Sequence, residues 1–373
     1  MDFHFPVKDM IQIRLMTIVL KLQGCPLSPI LFNLFINDIF NDFSELGIPL
    51  GESRCCGGLF ADDIVLCAPS RTKLKKMLKK VNEWAKFNMM NFGINKCATM
   101  VIRPDTPLFQ NKRDPTFYLA GQPIPITKCY TYLGIPFDKS LSLKPIIKLL
   151  NSKVTKALFS VSKFLSNSKI PIPFKKIIIN SYVLSKVSYF APLLGSNKTR
   201  TNNTQKLINK GLRWIAGIQK AKSFINVYSI SKDLHIPPLS AKCALSQVKC
   251  FDKWKDSNCI ISYLVNNILK SRKYTWTKES RTLKCKLEKR GNNDNKIKNF
   301  YWKRDMKINS FKAEFYDKNR FEETSNFIKL CYEYPDLSYG FYWLLRARSG
   351  YRLDARIAKA AKIIDPSIPL YCY

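Results

Sequence analysis

Two adjacent carboxylates, Asp62 and Asp63, lie between two short apolar segments of the chain. The segments, Leu59-Phe60 and Ile64-Val65-Leu66, have the composition of strands, and Ala61-Asp62-Asp63 is predicted to be the tight turn that joins them. Both side chains are expected to carry negative charge, and a bound cation would relieve their repulsion. Such a pair suits Mg²⁺, or Mn²⁺ in its place, and two-metal sites of this kind drive phosphoryl and nucleotidyl transfer. Alone, the pair is more typical of an ordinary solvated turn than of a metal site.

Three further blocks accompany this pair in a fixed order. Upstream lies the segment Gln23-Gly24-Cys25-Pro26-Leu27-Ser28, which continues as an apolar run to Ile36. Downstream lie Asn95-Lys96-Cys97 and then Tyr132-Leu133-Gly134-Ile135. Gln23 can donate and accept hydrogen bonds, and Gly24 lets a base or a sugar approach the backbone closely.

These four blocks, in this order, resemble the palm of a reverse transcriptase of the non-LTR (LINE-type) retrotransposon class. The resemblance is strongest over about residues 20–140 and weaker to about residue 240; chance similarity is the alternative. It implies an RNA-directed DNA polymerase, in which a primer 3′-hydroxyl attacks the α-phosphate of a dNTP. The implied partners are an RNA template, a DNA primer or target, and dNTP, with Asp62 and Asp63 as the ligands of Mg²⁺ or Mn²⁺.

The resemblance also assigns roles to single residues. Gln23, Gly24 and Pro26 would position the nucleotide and the template, and Phe60 and Ala61 would contact substrate beside the metal ligands. Lys96 matches a lysine that lies near the nucleotide phosphates and is a candidate proton donor to pyrophosphate. Gly134 would let the primer backbone approach at the junction of palm and thumb. The alternatives are an ordinary helix start, a surface lysine and a strand with a glycine kink.

The N-terminus departs from the family. Reverse transcriptases of this class carry a further catalytic Asp on a palm strand well upstream of the Gln-Gly block. Here only Asp2 and Asp9 precede Gln23, and neither lies in the matching pattern. The fingers are missing too, so the sequence predicts a chain truncated at both ends. We expect it to polymerise poorly or not at all when alone.

Composition favours a polyanionic partner. The chain of 373 residues has 62 Lys and Arg against 27 Asp and Glu, a formal net charge of +35. That excess predicts nucleic-acid binding, and 13% aromatic residues offer surfaces for base stacking. A compositional bias of the genome is the alternative source of many of the lysines. A hydrophobic fraction of 46% indicates a chain with sizeable cores.

The 12 cysteines include no CxxC pair, so no structural zinc is expected within the chain. No signal peptide and no membrane-spanning segment are evident, and these thiols are predicted to be reduced and intracellular, in nucleus or cytoplasm. Only two histidines, His4 and His235, are present, which argues against histidine-based catalysis.

The pattern predicts an α+β fold. Residues 1–140 would form a partial polymerase palm, an antiparallel sheet with helices, and residues 141–236 a helical thumb. Residues 237–373, beginning at Pro237-Pro238, would form a basic, mostly helical C-terminal region that leads to a lost zinc knuckle. Within the palm, Ser28 is the candidate N-cap of a helix with Ile30, Leu34, Phe35 and Ile39 on its apolar face. Further predicted elements are a helix over 70–90, a strand over 99–102 and a hairpin over 117–124.

The basic segment 270–322 has interleaved aromatic residues, and it fits a site for template RNA or target DNA as well as a solvated linker. The whole chain has rivals to the polymerase prediction. One is a non-catalytic nucleic-acid-binding remnant of such an element, and another is a decaying reading frame without a selected role. An intron-encoded maturase has a similar Asp-Asp hairpin, but the block from Gln23 to Ile36 fits the retrotransposon form better.

Overall fold

The computed structural model describes residues 26–103, 113–217, 226–267, 275–291, 293–307, 311–318 and 326–350. These residues form two compact units, of which one ends at Ser142 and the other begins at Leu143. The fold class is α+β, as the sequence predicts: short antiparallel hairpins and helices occupy the first unit, and helices the second. The assignment of palm, thumb and C-terminal region to these parts stays a prediction.

The first unit contains four helical segments and four hairpins in its described part, one of the helical segments being a short 3₁₀ turn (Ile94–Lys96). Its helices are α1 (Ser28–Ile36), a 3₁₀ helix (Asn37–Phe43) and α2 (Arg71–Phe87). Its strands are β1 (Ile48–Leu50), β2 (Ser53–Cys55), β3 (Gly57–Phe60), β4 (Asp63–Leu66), β5 (Phe117–Leu119), β6 (Gln122–Ile124), β7 (Cys129–Tyr132) and β8 (Ile135–Asp138).

The strands pair only with their immediate neighbours in sequence. Each of β1-β2, β3-β4, β5-β6 and β7-β8 is a separate antiparallel hairpin, and no larger sheet joins them within the described residues. The hairpin predicted over 117–124 is confirmed. The strand predicted over 99–102 is wrong, because Thr99 makes a single parallel bridge to Ile126 and its neighbours stay outside any ladder.

One apolar cluster packs two of these hairpins, β3-β4 and β5-β6, against the helices. Met77, Leu78 and Val81 of α2 pack with Ile39 and Phe43 of the 3₁₀ helix, and the buried ends of β5 and β6 join them. The apolar spacing predicted for residues 70–90 is therefore confirmed, and the Ser70 side chain caps α2 by accepting a hydrogen bond from the Lys73 amide.

The start of α1 differs from the prediction in two respects. Ser28 is the first residue of the helix rather than its N-cap, and the N-cap position belongs to Leu27. Ile30 and Leu34 are exposed, while Phe35 and Ile36 are buried. Because α1 continues directly into the 3₁₀ helix, only the C-terminal end of its apolar face turns toward the core.

The second unit consists of helices in its described part. They are α3 (Lys144–Ser160), α4 (Ser162–Ser166), α5 (Ile172–Ile178), a π-helix (Ile179–Leu184), α6 (Ser185–Ser188), α7 (Ala191–Leu194), α8 (Lys198–Ile215), α9 (Val227–Asp233) and α10 (Leu239–Lys255). They continue with α11 (Ile260–Asn266), α12 (Trp276–Glu288), α13 (Asp294–Tyr301), a second π-helix (Trp302–Met306), α14 (Phe311–Lys318), α15 (Phe327–Glu333), a 3₁₀ turn (Pro335–Leu337) and α16 (Ser338–Arg348).

Buried hydrogen bonds between charged and polar side chains join the helices of this unit. Asp233 at the end of α9 accepts hydrogen bonds from Arg348 of α16, at 3.0 Å to Nε and 2.8 Å to Nη2, and another from the Tyr316 hydroxyl at 2.6 Å. Residues on the two sides of Pro237-Pro238 therefore share one core. None of the described helices has the length and apolar character needed to cross a bilayer.

Candidate active site

Asp62 and Asp63 lie at the tip of the β3-β4 hairpin, as the sequence predicts. Phe60 pairs with Asp63 across the hairpin, so the turn consists of Ala61 and Asp62, and Asp63 is the first residue of β4. Ala61 has a φ of +50°, a left-handed conformation that costs a residue with a Cβ about 1–2 kcal/mol. Backbone strain of this kind is common at functional sites, where the surrounding structure holds it.

The hairpin is anchored on one face and open on the other. Leu59 and Ile64 face each other across the strands and pack against the apolar cluster of the first unit. Phe60 and Asp63 alternate to the opposite face, and both are exposed, as is Asp62. Within the part of the chain that the structure describes, neither carboxylate has a hydrogen bond or an ion pair. Both are thus available to a cation from solvent.

Gly57 is required where β3 begins. Its φ is +149°, and a Cβ at this position would lie 1.8 Å from the carbonyl oxygen of Val65 on the partner strand. No other residue fits this close approach of two backbones. Sequence reasoning missed Gly57, although a glycine inside a strand pattern is a usual signal of such contact.

A second hairpin presents the Tyr-Leu-Gly block. Its turn is Leu133-Gly134, with φ values of +48° and +75°, which matches the type I′ turn of tight hairpins. A Cβ on Gly134 would meet no atom within 4 Å, so the space around the turn is open. The block is a hairpin tip, and neither a plain strand nor a kinked one.

Tyr132, beside this turn, lies close enough to Asp63 to sense its charge. Burial raises the pKa of the Tyr132 hydroxyl, and the negative charges of Asp63 and Cys67 raise it further. The Tyr132 side chain, in β7, therefore lies within electrostatic range of the Asp63 carboxylate. Sequence reasoning assigned a role to Gly134 of this block and missed Tyr132. The signal that could have identified Tyr132 is an aromatic residue next to an exposed turn.

Lys96 ends a short 3₁₀ turn (Ile94–Lys96) and has an exposed side chain. Its carbonyl oxygen accepts a hydrogen bond from the Tyr130 hydroxyl at 3.0 Å. Because Tyr130 belongs to β7, one hairpin approaches Asp63 and also holds the backbone of Lys96. The roles predicted for Lys96 and Gly134 stay predictions.

The upstream block is described only in part. Gln23 and Gly24 lie outside the described residues, and Pro26 is an exposed turn residue before α1. Among the side chains that the structure describes, no group of three or more His, Cys, Asp or Glu is arranged to hold a metal ion. The described metal-ligand candidates are therefore the two carboxylates of one hairpin. This number fits Mg²⁺, which in nucleotide-binding enzymes is usually held by one or two carboxylates and by the phosphates of the substrate.

Comparison with known proteins gives the family of this region. Residues 16–137 match the model of the reverse transcriptase (RNA-dependent DNA polymerase) family. The chain is 34% identical over 125 residues to the Pol polyprotein of the type-2 retrotransposable element R2DM of Drosophila melanogaster, covering 31% of this chain and 11% of that protein. It is 26% identical over 230 residues to the RNA-directed DNA polymerase of the mobile element jockey of Drosophila funebris, covering 59% and 24%.

A third relative is the Pol polyprotein of the type-1 retrotransposable element R2 of Nasonia vitripennis, 31% identical over 83 residues, with 22% and 8% covered. The chain spans about a quarter or less of the length of these curated relatives. The match to the family model contains the Asp62–Asp63 hairpin, Lys96 and Gly134. The chain thus carries a reverse transcriptase domain of the non-LTR retrotransposon class.

Proposed function

We propose that the Asp62–Asp63 hairpin is the metal-binding part of an RNA-directed DNA polymerase that copies an RNA template from a DNA primer. The observation that carries this proposal is the geometry of the hairpin: two exposed carboxylates, without a partner among the described residues, on a turn whose strands are anchored on the core. When bound, Mg²⁺ or Mn²⁺ would activate the primer hydroxyl and stabilise the charge on the transferred phosphate. Asp62 is the first metal ligand and Asp63 the second.

The surrounding residues would position the substrates. The open turn at Gly134 admits the sugar-phosphate backbone of the primer end, next to Asp63, without a side chain in its way. Lys96 donates a proton to the pyrophosphate leaving group while Tyr130 fixes its backbone. Gln23, Gly24 and Pro26 hold the template and the nucleotide, and Phe60 and Ala61 contact the nucleotide from the hairpin.

The helical unit would hold the product duplex through its phosphates. Residues 143–232 contain 17 Lys or Arg and no Asp or Glu. Lysines of α3 such as Lys148, Lys153 and Lys156 are exposed. A surface of this composition gives affinity that falls steeply with salt and does not depend on base sequence.

Iron-directed cleavage tests the metal site without requiring polymerisation. Fe²⁺ bound in place of Mg²⁺ reduces added hydrogen peroxide to hydroxide and a hydroxyl radical, ascorbate returns the resulting Fe³⁺ to Fe²⁺, and the radicals cut the nearest backbone. We expect the full chain to be cut in the β3-β4 hairpin, and excess Mg²⁺ to suppress the cuts. Asp62→Asn with Asp63→Asn should abolish them, whereas Glu52→Gln, an exposed acid in the matched turn of the β1-β2 hairpin, should leave them unchanged. Cuts that persist in the double variant would refute the proposed metal ligands.

Primer extension on an RNA template tests the reaction itself. We expect weak incorporation by the 373-residue chain with Mg²⁺ or Mn²⁺, lost on Asp62→Asn and retained by Glu52→Gln. Strong extension that Asp62→Asn abolishes would contradict the expected impairment of the chain alone while supporting the metal site. Extension unaffected by Asp62→Asn would contradict the metal site.

A second candidate function is nucleic-acid binding without catalysis, which the acid-free stretch over residues 143–232 favours. It predicts duplex binding with a steep salt dependence that survives Asp62→Asn with Asp63→Asn. Both candidates predict this binding. Iron cleavage and extension that depend on Asp62 occur only if the polymerase proposal is right.

A further inference from the structure

The described aromatic side chains of the basic segment 270–322 pack against other residues of the second unit. The Trp276 Nε1 donates a hydrogen bond to the Pro192 carbonyl at 2.8 Å, and its ring contacts that of Trp254. Tyr301 and Trp302 are buried. These rings are not free to stack on bases, so a stacking surface among the described residues lies elsewhere in the chain.

Exposed aromatic rings are concentrated a little further along the chain. Tyr332, Tyr334 and Tyr339 are 56%, 54% and 59% exposed, and Trp343 is 40% exposed. Among the described tryptophans, Trp343 alone is this accessible. Four accessible rings thus lie within twelve residues of the chain, and a local concentration of this kind often marks an interaction site.

Helix α16 organises this surface. Its inner side, with Phe341 and Leu345, is buried, and its outer face carries accessible side chains. The exposed residues of this helix, which we call the α16 outer face, are Tyr339, Gly340, Trp343, Leu344 and Ala347. Tyr339 and Trp343 are one helical turn apart, with ring centroids separated by 6.3 Å. No atom lies within 4 Å of the position that a Gly340 Cβ would occupy, so the surface beside the two rings is open.

Positive charge accompanies the rings. The Arg346 guanidinium lies over the Trp343 ring at 4.5 Å from its centroid, and its Nη1 donates to the Tyr342 hydroxyl at 3.1 Å. Helix α16 contains no acidic residue, and the chain as a whole has a net charge of +35. A ring pair with an ordered arginine over one of the rings is a combination that binds an unpaired base and its phosphate together.

We propose that the α16 outer face binds single-stranded nucleic acid by stacking bases on Tyr339 and Trp343, with Arg346 contacting the backbone. The charge of the chain favours a polyanion over a protein partner, and accessible ring faces favour unpaired bases over a duplex, whose bases are already stacked. This site is separate from Asp62 and Asp63, and it gives the chain a second contact with nucleic acid besides the proposed duplex surface.

Fluorescence anisotropy of the full chain with a labelled oligothymidylate of about 20 nucleotides tests the proposal. We expect Tyr339→Ala with Trp343→Ala to weaken binding by at least about tenfold at fixed salt, with the salt slope unchanged. Tyr339→Phe with Trp343→Phe should restore most of the affinity, because the rings remain. Arg346→Met should lower the salt slope by about one.

The matched control is Tyr263→Ala, which removes an exposed tyrosine from α11 and should leave affinity unchanged. Binding of a duplex of equal length should be nearly the same in all these variants. The proposal is overturned if the double alanine variant binds the oligothymidylate as the wild type does, or loses duplex and single strand equally. It is also overturned if light scattering shows that these substitutions dissolve a dimer and leave the affinity for oligothymidylate unchanged. Thermal unfolding, expected to be unaffected because both rings are exposed, verifies that the variants are folded.

Discussion

Lys175 carries a charge in the interior of the helical unit without an acidic partner among the described residues. The side chain, in α5, is fully buried. Its Nζ lies 3.4 Å from the Ile215 carbonyl oxygen and 5.5 Å from the centroid of the Tyr342 ring. Burial lowers the pKa of Lys175 from 10.5 to about 8. This lysine therefore destabilises the folded state at neutral pH relative to an apolar residue of the same length.

The shift of the pKa sets the size and the sign of the effect. A fall from 10.5 to about 8 corresponds to about 3 kcal/mol. Below pH 8 the amine is protonated in the folded and the unfolded chain, and the cost of burying its charge is fully present. Between pH 8 and 10.5 the folded chain has released the proton and the unfolded chain still binds it, so stability rises with pH in this range.

Lys175→Met removes the charge and keeps the chain length. The variant loses the carbonyl hydrogen bond and the contact with the Tyr342 ring, about 1 kcal/mol each. We expect it to be more stable than the wild type by about 1 kcal/mol at pH 7. The difference in the free energy of unfolding between variant and wild type should then fall by about 2 kcal/mol between pH 7 and pH 9.5, because the buried amine of the wild type loses its proton in this range.

Urea unfolding followed by tryptophan fluorescence measures this difference, because five of the six tryptophans lie in the second unit. Comparing variant with wild type at each pH cancels the titration of the thiols that both contain. Lys169→Met, which removes an exposed lysine before α5, should show no pH-dependent difference. A Lys175→Met variant whose stability relative to the wild type is constant from pH 7 to pH 9.5 would refute the reasoning.

Three further substitutions test packing and turn geometry by urea unfolding. Asp233→Asn should cost about 3–5 kcal/mol, because it leaves the buried Arg348 charge without its carboxylate; a cost under about 1 kcal/mol would contradict the pair's importance. Gly211→Ala places a Cβ 2.8 Å from Leu158 Cδ1, between two helices, and should lower the free energy of unfolding by about 1–3 kcal/mol. The same substitution at an exposed helical glycine would raise the free energy of unfolding, because alanine has the higher helix propensity. Gly134→Ala meets open space and should cost only the strain of its positive φ, about 1 kcal/mol, so a larger loss would indicate a contact at that turn.

Local patterns predicted the parts of the fold that short-range chemistry determines. The hairpin that carries Asp62 and Asp63 follows from two apolar segments around a polar turn, and α2 follows from helical spacing with a capping Ser70. The prediction that failed at 99–102 is equally instructive. An apolar tetrapeptide becomes a strand only if a partner is available, and Thr99 has only a single bridge.

Contacts between distant residues could not be predicted in this way. Tyr132 lies within electrostatic range of Asp63 although the two residues belong to separate hairpins, and no feature of either sequence block specifies this proximity. The bond from Arg348 to Asp233 joins residues 115 positions apart. No local pattern marks either residue as buried, and their burial depends on how the helices of the second unit pack.

The functional and the stabilising residues lie in different environments, and this separation makes their effects distinguishable. Asp62 and Asp63 are exposed on a hairpin tip, and Tyr339 and Trp343 are exposed on a helix, so removing these side chains leaves the cores intact. Asp233 and Lys175 are buried, and their replacement changes the free energy of unfolding directly. A loss of metal or oligonucleotide binding in the exposed variants at unchanged stability can therefore be attributed to the binding site itself.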